Sequence, residues 1–178
     1  MTDADSLHAA INEEVALQTY DSRWPDRFVA ERDRLLALFP LVFVDIEHIG
    51  STAVPGLVAK PIVDLLAGVE SMAMAKSLTE PLCESGYATS TEFNATLTDR
   101  QWFMRWADGH RTHHLHIVVH GGPVWARHLQ FRDALRASPV LAARYAALKA
   151  ELAVRHPTDR EAYTSAKTAF VNSLSNPN

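Results

Sequence analysis

One carboxylate restricts this chain more than any other feature. Residues 61–69, Pro-Ile-Val-Asp-Leu-Leu-Ala-Gly-Val, are apolar except for Asp64. A short aliphatic, β-branched run bounded by turn signals predicts a strand over Pro61–Val69. An ionised carboxylate inside such a strand is costly unless it is paired, hydrogen-bonded or bound to a metal. The plain account has Asp64 holding a backbone N–H or a neighbouring arginine. The functional account makes it the centre of a site, and it gains weight from the glycine loop just upstream.

That loop reads Gly50-Ser51-Thr52-Ala53-Val54-Pro55-Gly56 and follows a predicted strand, Leu41–Ile49. Glycine lets backbone N–H groups approach a ligand and serine adds a hydroxyl. The pair suits a phosphate, and it also makes ordinary turns. Lys60 would supply a point charge to an anionic ligand, or sit solvated at the surface. Glu47 and His48 precede the loop on opposite faces of their strand. A one-residue slip would exchange which of them points into the site.

The remaining pattern gives the class. Residues 3–17 are weakly helical and read as an N-terminal arm. Trp24-Pro25 opens a helix, with proline at a first-turn position. Phe28, Leu35 and Phe39 form its stripe, Val29 and Leu36 widen it, and Pro40 ends it. A helix is predicted over Ser71–Ser85 with Gly86 as its stop. Tyr87–Thr91 reads as a short strand and Glu92–Asp99 as a loop. Gln101–Ala107 and Thr112–Val119 read as two strands around the turn Asp108-Gly109. After Gly121-Gly122-Pro123 the pattern stays helical: Pro123–Ala137, then a helix opened by Ser138-Pro139 and running to about His156. The capping-box pattern Thr158-Asp159-Arg160-Glu161 starts the last helix. The expected fold is therefore α/β (α+β), a mixed sheet with flanking helices and a helical C-terminal part over residues 123–174, in one domain spanning 1–178.

Composition excludes several function classes. The chain has 178 residues, 47% hydrophobic and 21% charged, with a formal net charge of −4. That argues against a broad basic nucleic-acid face while leaving room for a small basic pocket. No stretch approaches the roughly 20 apolar residues of a membrane span. Met1–Ala10 carries Asp3 and Asp5 and lacks a basic-then-apolar leader, so the expected compartment is the cytoplasm. The single cysteine, Cys83, reads as a small buried hydrophobe.

Nine histidines are the oddity, and five lie between His110 and His120. Strand alternation puts His114, His116, Val118 and His120 on one face and His113, Leu115, Ile117 and Val119 on the core face. His114 and His116 with Asp64 would make two histidines and one carboxylate, an open metal site, or a hydrogen-bonded polar face without metal. Arg100 and Arg105 flank Trp102, Phe103 and Trp106. Arginine beside aromatics suits a phosphate or planar base, or simply packs long stems on a sheet.

The stretch from Glu47 to Leu65, His-Ile-Gly-Ser-Thr-Ala-Val-Pro-Gly within it, resembles the signature of the GrpB family. His113-His114-Leu115-His116, Phe131-Arg132-Asp133-Ala134-Leu135-Arg136, Tyr145, Leu148-Lys149, Tyr163 to Lys167 and Tyr20 to Pro25 resemble further parts of it. The likeness covers about residues 18 to 174. It implies a nucleotidyltransferase-like fold, and it connects the chain to a domain fused to some dephospho-coenzyme A kinases. In that superfamily a Gly-Ser turn precedes an acidic pair at i and i+2 and a third acid on a later strand. Here Gly50-Ser51 matches the turn and Asp64 the first acid. The second position is Leu66, and histidines stand where the third acid is expected. One aspartate is a poor clamp for two magnesium ions, so the resemblance implies the fold without ordinary two-metal nucleotidyl transfer.

Three functional readings follow. The first is a small-molecule enzyme, transferase-like or acid–base, acting on an anionic or nucleotide-like ligand. Asp64, His114 and His116 would be catalytic, and Gly50, Ser51, Lys60, Arg100, Arg105, Arg132, Tyr163 and Lys167 would bind the ligand. Tyr163 and Lys167, one turn apart, would close a pocket wall or hold helices together. The second is a non-catalytic nucleotide or coenzyme A binding module. The third is an enzyme with a single divalent metal on Asp64, His114 and His116.

Overall fold

The computed structural model describes residues 16–175. Helix α1 (Trp24–Leu38) leads into β1 (Asp45–Ile49), a single 3₁₀ turn at Ser51–Ala53, and β2 (Val63–Val69). Short helices α2 (Met72–Ser77), α3 (Thr79–Glu84) and α4 (Thr91–Ala95) follow, then β3 (Gln101–Ala107) and β4 (His110–Val119). Helices α5 (Pro123–Ala137), α6 (Pro139–Arg155) and α7 (Arg160–Ser175) complete the order. The sheet runs β1-β2-β4-β3. The central β2–β4 pair is parallel and both outer pairs are antiparallel. Asp108 (φ 54) and Gly109 (φ 78) form the tight β3–β4 turn. Two consecutive positive φ values give the turn the twist that a hairpin needs.

One sheet face is the main core. Ile46, Val63, Leu65, Ala67, Phe103, Leu115 and Ile117 pack against Trp24, Phe28 and Leu35 of α1 and Leu82 of α3. The stripe of α1 is Trp24, Phe28, Glu31 and Leu35. Val29 and Leu36, expected to widen it, are exposed, because that edge turns away from the sheet. Glu31 takes a core position instead. It is 4% exposed and pairs with Arg34 at 2.8 Å and Arg105 at 2.6 Å. Tyr87 donates its hydroxyl to Glu31 at 2.6 Å.

The opposite face is divided. Ile49, Leu66 and Val118 are covered by Trp125 of α5. Beside them on the same face lie Asp64, which pairs in register with His114 and Ile49, and His116, which pairs with Leu66. The loop after β1 is clamped by the helical part, where Val54 and Leu57 pack on Leu135 of α5 and Tyr145 of α6.

Several local expectations are corrected. Leu41–Val44 lies outside the sheet; Leu41 has φ 64 and is fully exposed, and β1 starts at Asp45. The helix expected over 71–85 breaks at Leu78. Pro81 has no N–H to give Ser77, so the break is covalent in origin. Residues 87–91 form only a bridge, Ala88 to Met104. Part of the expected 92–99 loop is α4, capped by Ser90 accepting the Phe93 N–H at 3.1 Å. The last helix is capped by Asp159, which accepts from Ala162 at 3.0 Å, one residue later than the pattern suggested. Cys83 is exposed on α3 rather than buried. The arm expected at residues 3–17 lies outside the described residues apart from Ala16 and Leu17. Among the described residues no helix is long and apolar enough to cross a membrane.

Candidate functional site

Asp64 sits second in β2, on the face turned toward the helical part. Its partners follow from register: Asp64 lies beside His114 across the parallel pair and beside Ile49 across the antiparallel one. Asp64 Oδ1 is 3.2 Å from His114 Nδ1 and 3.8 Å from His116 Nε2, and its side chain is 25% exposed. The loop crosses directly over the carboxylate. A Cβ on Gly50, which has φ 73, would lie 2.4 Å from Asp64 Oδ2. Only glycine permits that approach and that backbone conformation.

The proton positions follow from chemistry. Arg111 Nη1 is 3.0 Å from His114 Nε2. A guanidinium can only donate, so Nε2 accepts and the imidazole carries its proton on Nδ1, facing Asp64. Arg111, His114 and Asp64 thus form a donor chain ending on the carboxylate. Burial pushes His114 down to about 4, against the opposing pull of Asp64. Burial alone would raise Asp64, but the hydrogen bonds and charge of His114 and His116 hold it well below the usual carboxylate range. Among the described residues His116 Nδ1 is buried with no hydrogen-bond partner, and its ring lies 5.9 Å from that of His128 on α5. Burial, followed by the His116 charge, depresses His128 to about 4.

This centre opens into a cavity of about 580 Å³. The structure brings Gly50, Ser51, Lys60, Arg100, Tyr163 and Lys167 to its walls together with Asp64, His114 and His116. Arg105 and Arg132 do not reach it. Arg105 is committed to Glu31 on the other sheet face. Arg132 is held by Glu47 at 2.5 Å and by the His48 carbonyl at 3.1 Å. His48 belongs to the core face, stacked on Phe28 at 4.8 Å and 2.9 Å from the Thr52 hydroxyl.

Sequence reasoning missed Arg111, His128, Tyr145 and Lys149 as site residues. Tyr145 hydrogen-bonds Ser51, and burial pushes its phenol well up. Lys149 is 2% exposed, donates to the Val58 carbonyl and lies 5.1 Å from the Tyr145 ring centre. Burial, and then the charge of Lys167, pushes its ammonium down to about 7, with Asp64 opposing. The available signal was phase: Lys149 falls on the inward stripe of α6 with Tyr145 and Leu152. A lysine there is rarely buried without a task.

Asp64, His114 and His116 offer ligand atoms within 4.8 Å of one another. A divalent ion bound by all three, with bonds near ~2.1 Å, would need His114 Nδ1 to lose the proton that Arg111 places there. The arrangement as it stands is a hydrogen-bonded chain.

A mixed sheet with helices on both faces and a carboxylate–histidine centre opening on a lysine-walled cavity defines an α/β domain built around one polar, small-molecule-sized pocket. The chain belongs to the GrpB family, whose protein model matches residues 14–176. It is 36% identical over 167 residues to the glutamate-rich protein GrpB of Alkalihalophilus pseudofirmus, covering 92% of this chain and 95% of that one. It is 35% identical over 165 residues to the UPF0157 protein YqkA of Bacillus subtilis, where the match spans 93% of this chain but 47% of the relative. A dephospho-CoA kinase of Mycolicibacterium paratuberculosis is 31% identical over 175 residues, and the match spans 43% of that protein. The crystal structure of GrpB from Enterococcus faecalis superposes with a TM-score of 0.79 at 34% identity, covering 90% of this chain and 94% of that one.

Proposed function

We propose that this protein is a small-molecule enzyme acting on an anionic, nucleotide-like ligand, on a nucleotidyltransferase-like fold. One observation carries the reading: a single cavity is walled by Asp64, His114 and His116 on one side and by lysines on the other. In this reading His116 moves the proton, since imidazole is the natural acid–base group near neutral pH. Asp64, held ionised, orients the histidines and stabilises positive charge rather than serving as a base. Neutral His114 transmits the orientation set by Arg111. Ordinary two-metal transfer does not suit the site, because Leu66, at the second acid position, is sealed under Trp125 in an apolar cluster.

The likeness to part of a dephospho-CoA kinase supports a nucleotide or coenzyme A fragment as ligand class. A thermal-shift screen over nucleotides, coenzyme A fragments and polar metabolites tests this. A ligand at a hundred times its dissociation constant stabilises the fold by about 2.7 kcal/mol. Turnover of the hit should fall at least about a hundredfold in Asp64→Asn and in His116→Ala. Binding with turnover unaffected by both variants would leave a binding module instead.

The ligand-atom spacing of Asp64, His114 and His116 favours a second reading, a single divalent metal. Cobalt(II) titration of protein purified without chelator separates the two. A stoichiometric visible band, absent in His116→Ala, supports the metal; no band removes it.

A further inference from the structure

We infer that the lysine wall of the cavity is a subsite for a phosphate group of the ligand, with Lys149 as its buried contact and Lys60 and Lys167 as its outer ones. The inference rests on the reading of this cavity as a ligand site, and it names the ligand's chemistry.

Charge is the first argument. The chain as a whole is net negative at −4. Among the described residues the cavity walls carry Lys60, Lys149, Lys167, Arg100 and Arg111 against one carboxylate, Asp64. Such a local excess of positive charge inside a negative protein selects an anion, and one bearing more than a single charge. Asp64 is already occupied by its histidines.

Burial is the second. Lys149 is 2% exposed and has three N–H donors, and its one hydrogen bond among the described residues goes to the Val58 carbonyl. It makes no ion pair among them. An ammonium placed in the interior with one neutral acceptor is costly, and a fold retains it where a partner arrives later. Methionine or leucine would serve the α6 stripe better if packing were the only task.

The third argument is placement. The amines of Lys60 and Lys167 lie 4.8 and 5.6 Å from the ring centre of Tyr163, so α7 and the loop before β2 bring them together. Thr164 and Ser165 add hydroxyls to the wall, and Ser51 adds a third beside Tyr145. The amines and hydroxyls of this wall suit a tetrahedral oxyanion, for which lysine serves as a point charge.

A consequence follows for protons. Among the described residues the charges acting on Lys149 are Lys167 from α7 and Asp64 from β2, its amine lies over the Tyr145 ring of α6, and Tyr163 of α7 and Lys60 from the loop line the same cavity. Burial and Lys167 lower its affinity for a proton to about 7. A phosphate dianion beside it offsets both effects, so Lys149 takes up a proton when the ligand binds near pH 7.5.

The test is calorimetric titration of the full chain with inorganic pyrophosphate, inorganic phosphate and malonate, in buffers of different ionisation heat. Pyrophosphate should bind most tightly with proton uptake, and Lys149→Met should weaken it at least about tenfold and abolish the uptake. Lys167→Ala, a partly exposed and structurally safe change, should weaken it about threefold or more. Lys149→Met should melt no lower than wild type, so lost binding would not reflect lost folding. Pyrophosphate binding within twofold of wild type in Lys149→Met, or malonate binding as tightly as pyrophosphate, overturns the subsite. Asp64→Asn separates the two readings: it should keep pyrophosphate affinity while losing turnover. If Lys149→Met binds normally while Asp64→Asn loses turnover, the subsite alone fails. If Lys149→Met loses pyrophosphate but no phosphate-bearing compound is turned over, the catalytic reading alone fails.

Discussion

Two carboxylates sit inside this domain on opposite sides of its sheet, and they are neutralised differently. Glu31 lies on the α1 face, held by the fixed charges of Arg34 and Arg105 and by the Tyr87 hydroxyl. Every partner is part of the scaffold, and Glu31 does not line the cavity beside Asp64. Asp64 lies on the other face, held by His114 and His116 and open to a cavity. The first arrangement joins α1, β3 and the chain after α3. The second leaves a charge whose neighbours can change protonation when a ligand arrives. Burial of a charge alone does not mark a site. The character of its partners and an opening beside it do.

Removing Glu31 should show the largest effect on stability. Glu31→Gln leaves two guanidiniums short of their counter-charge, and breaking a buried pair costs about 3 kcal/mol. Urea denaturation should register this, with ligand affinity at the cavity unchanged. Gly50→Ala should come next, at about 2 kcal/mol, from its positive φ and its collision with Asp64 Oδ2. Unlike Glu31→Gln it should also disturb turnover, because Asp64 must move.

Acid should act at milder pH through three histidines, two of them beside Asp64 and its cavity and His48 on the core face. His48, His114 and His128 are each depressed to about 4 from 6.5. Between pH 6.5 and 4 the unfolded chain binds protons that the folded chain refuses, so stability falls as pH drops through that window. Each histidine contributes up to about 1.4 kcal/mol per pH unit. Glu31 and Asp64 have lowered folded values, so their contributions persist through this window and fade only at lower pH. Chemical denaturation at pH 7, 6, 5 and 4 checks the order. His128→Gln should flatten the slope without lowering stability at pH 7.

The smallest effect on stability belongs to Asp64→Asn. The amide keeps the shape and can still accept from His114, so a change within about 1 kcal/mol is expected. A loss as large as that of Glu31→Gln would make Asp64 a fastener too, and would erase the distinction between the two carboxylates.

Much of the site could be read along the chain. Gly50-Ser51, Asp64 and the alternation of His114 and His116 are local patterns, and register alone then decides that they meet. Arg105 and Arg132 were misread because an arginine's target depends on which carboxylate the fold brings near it, Glu31 and Glu47 here. Arg111, Tyr145 and Lys149 were missed because they reach the cavity from a strand end and a helix far away in sequence. Leu41 looked like a strand residue by type, yet it is a turn residue with positive φ, because tertiary position overrides β-propensity.

The sequence by itself determined most strands and helices, the family and the paradox of Asp64, since periodicity, caps and motif spacing are properties of neighbours along a chain. Tertiary structure alone decided which carboxylate is tied into the scaffold and which opens on a cavity. That choice rests on Coulomb and hydrogen-bond partners many residues apart, and on whether packing left a cavity beside them.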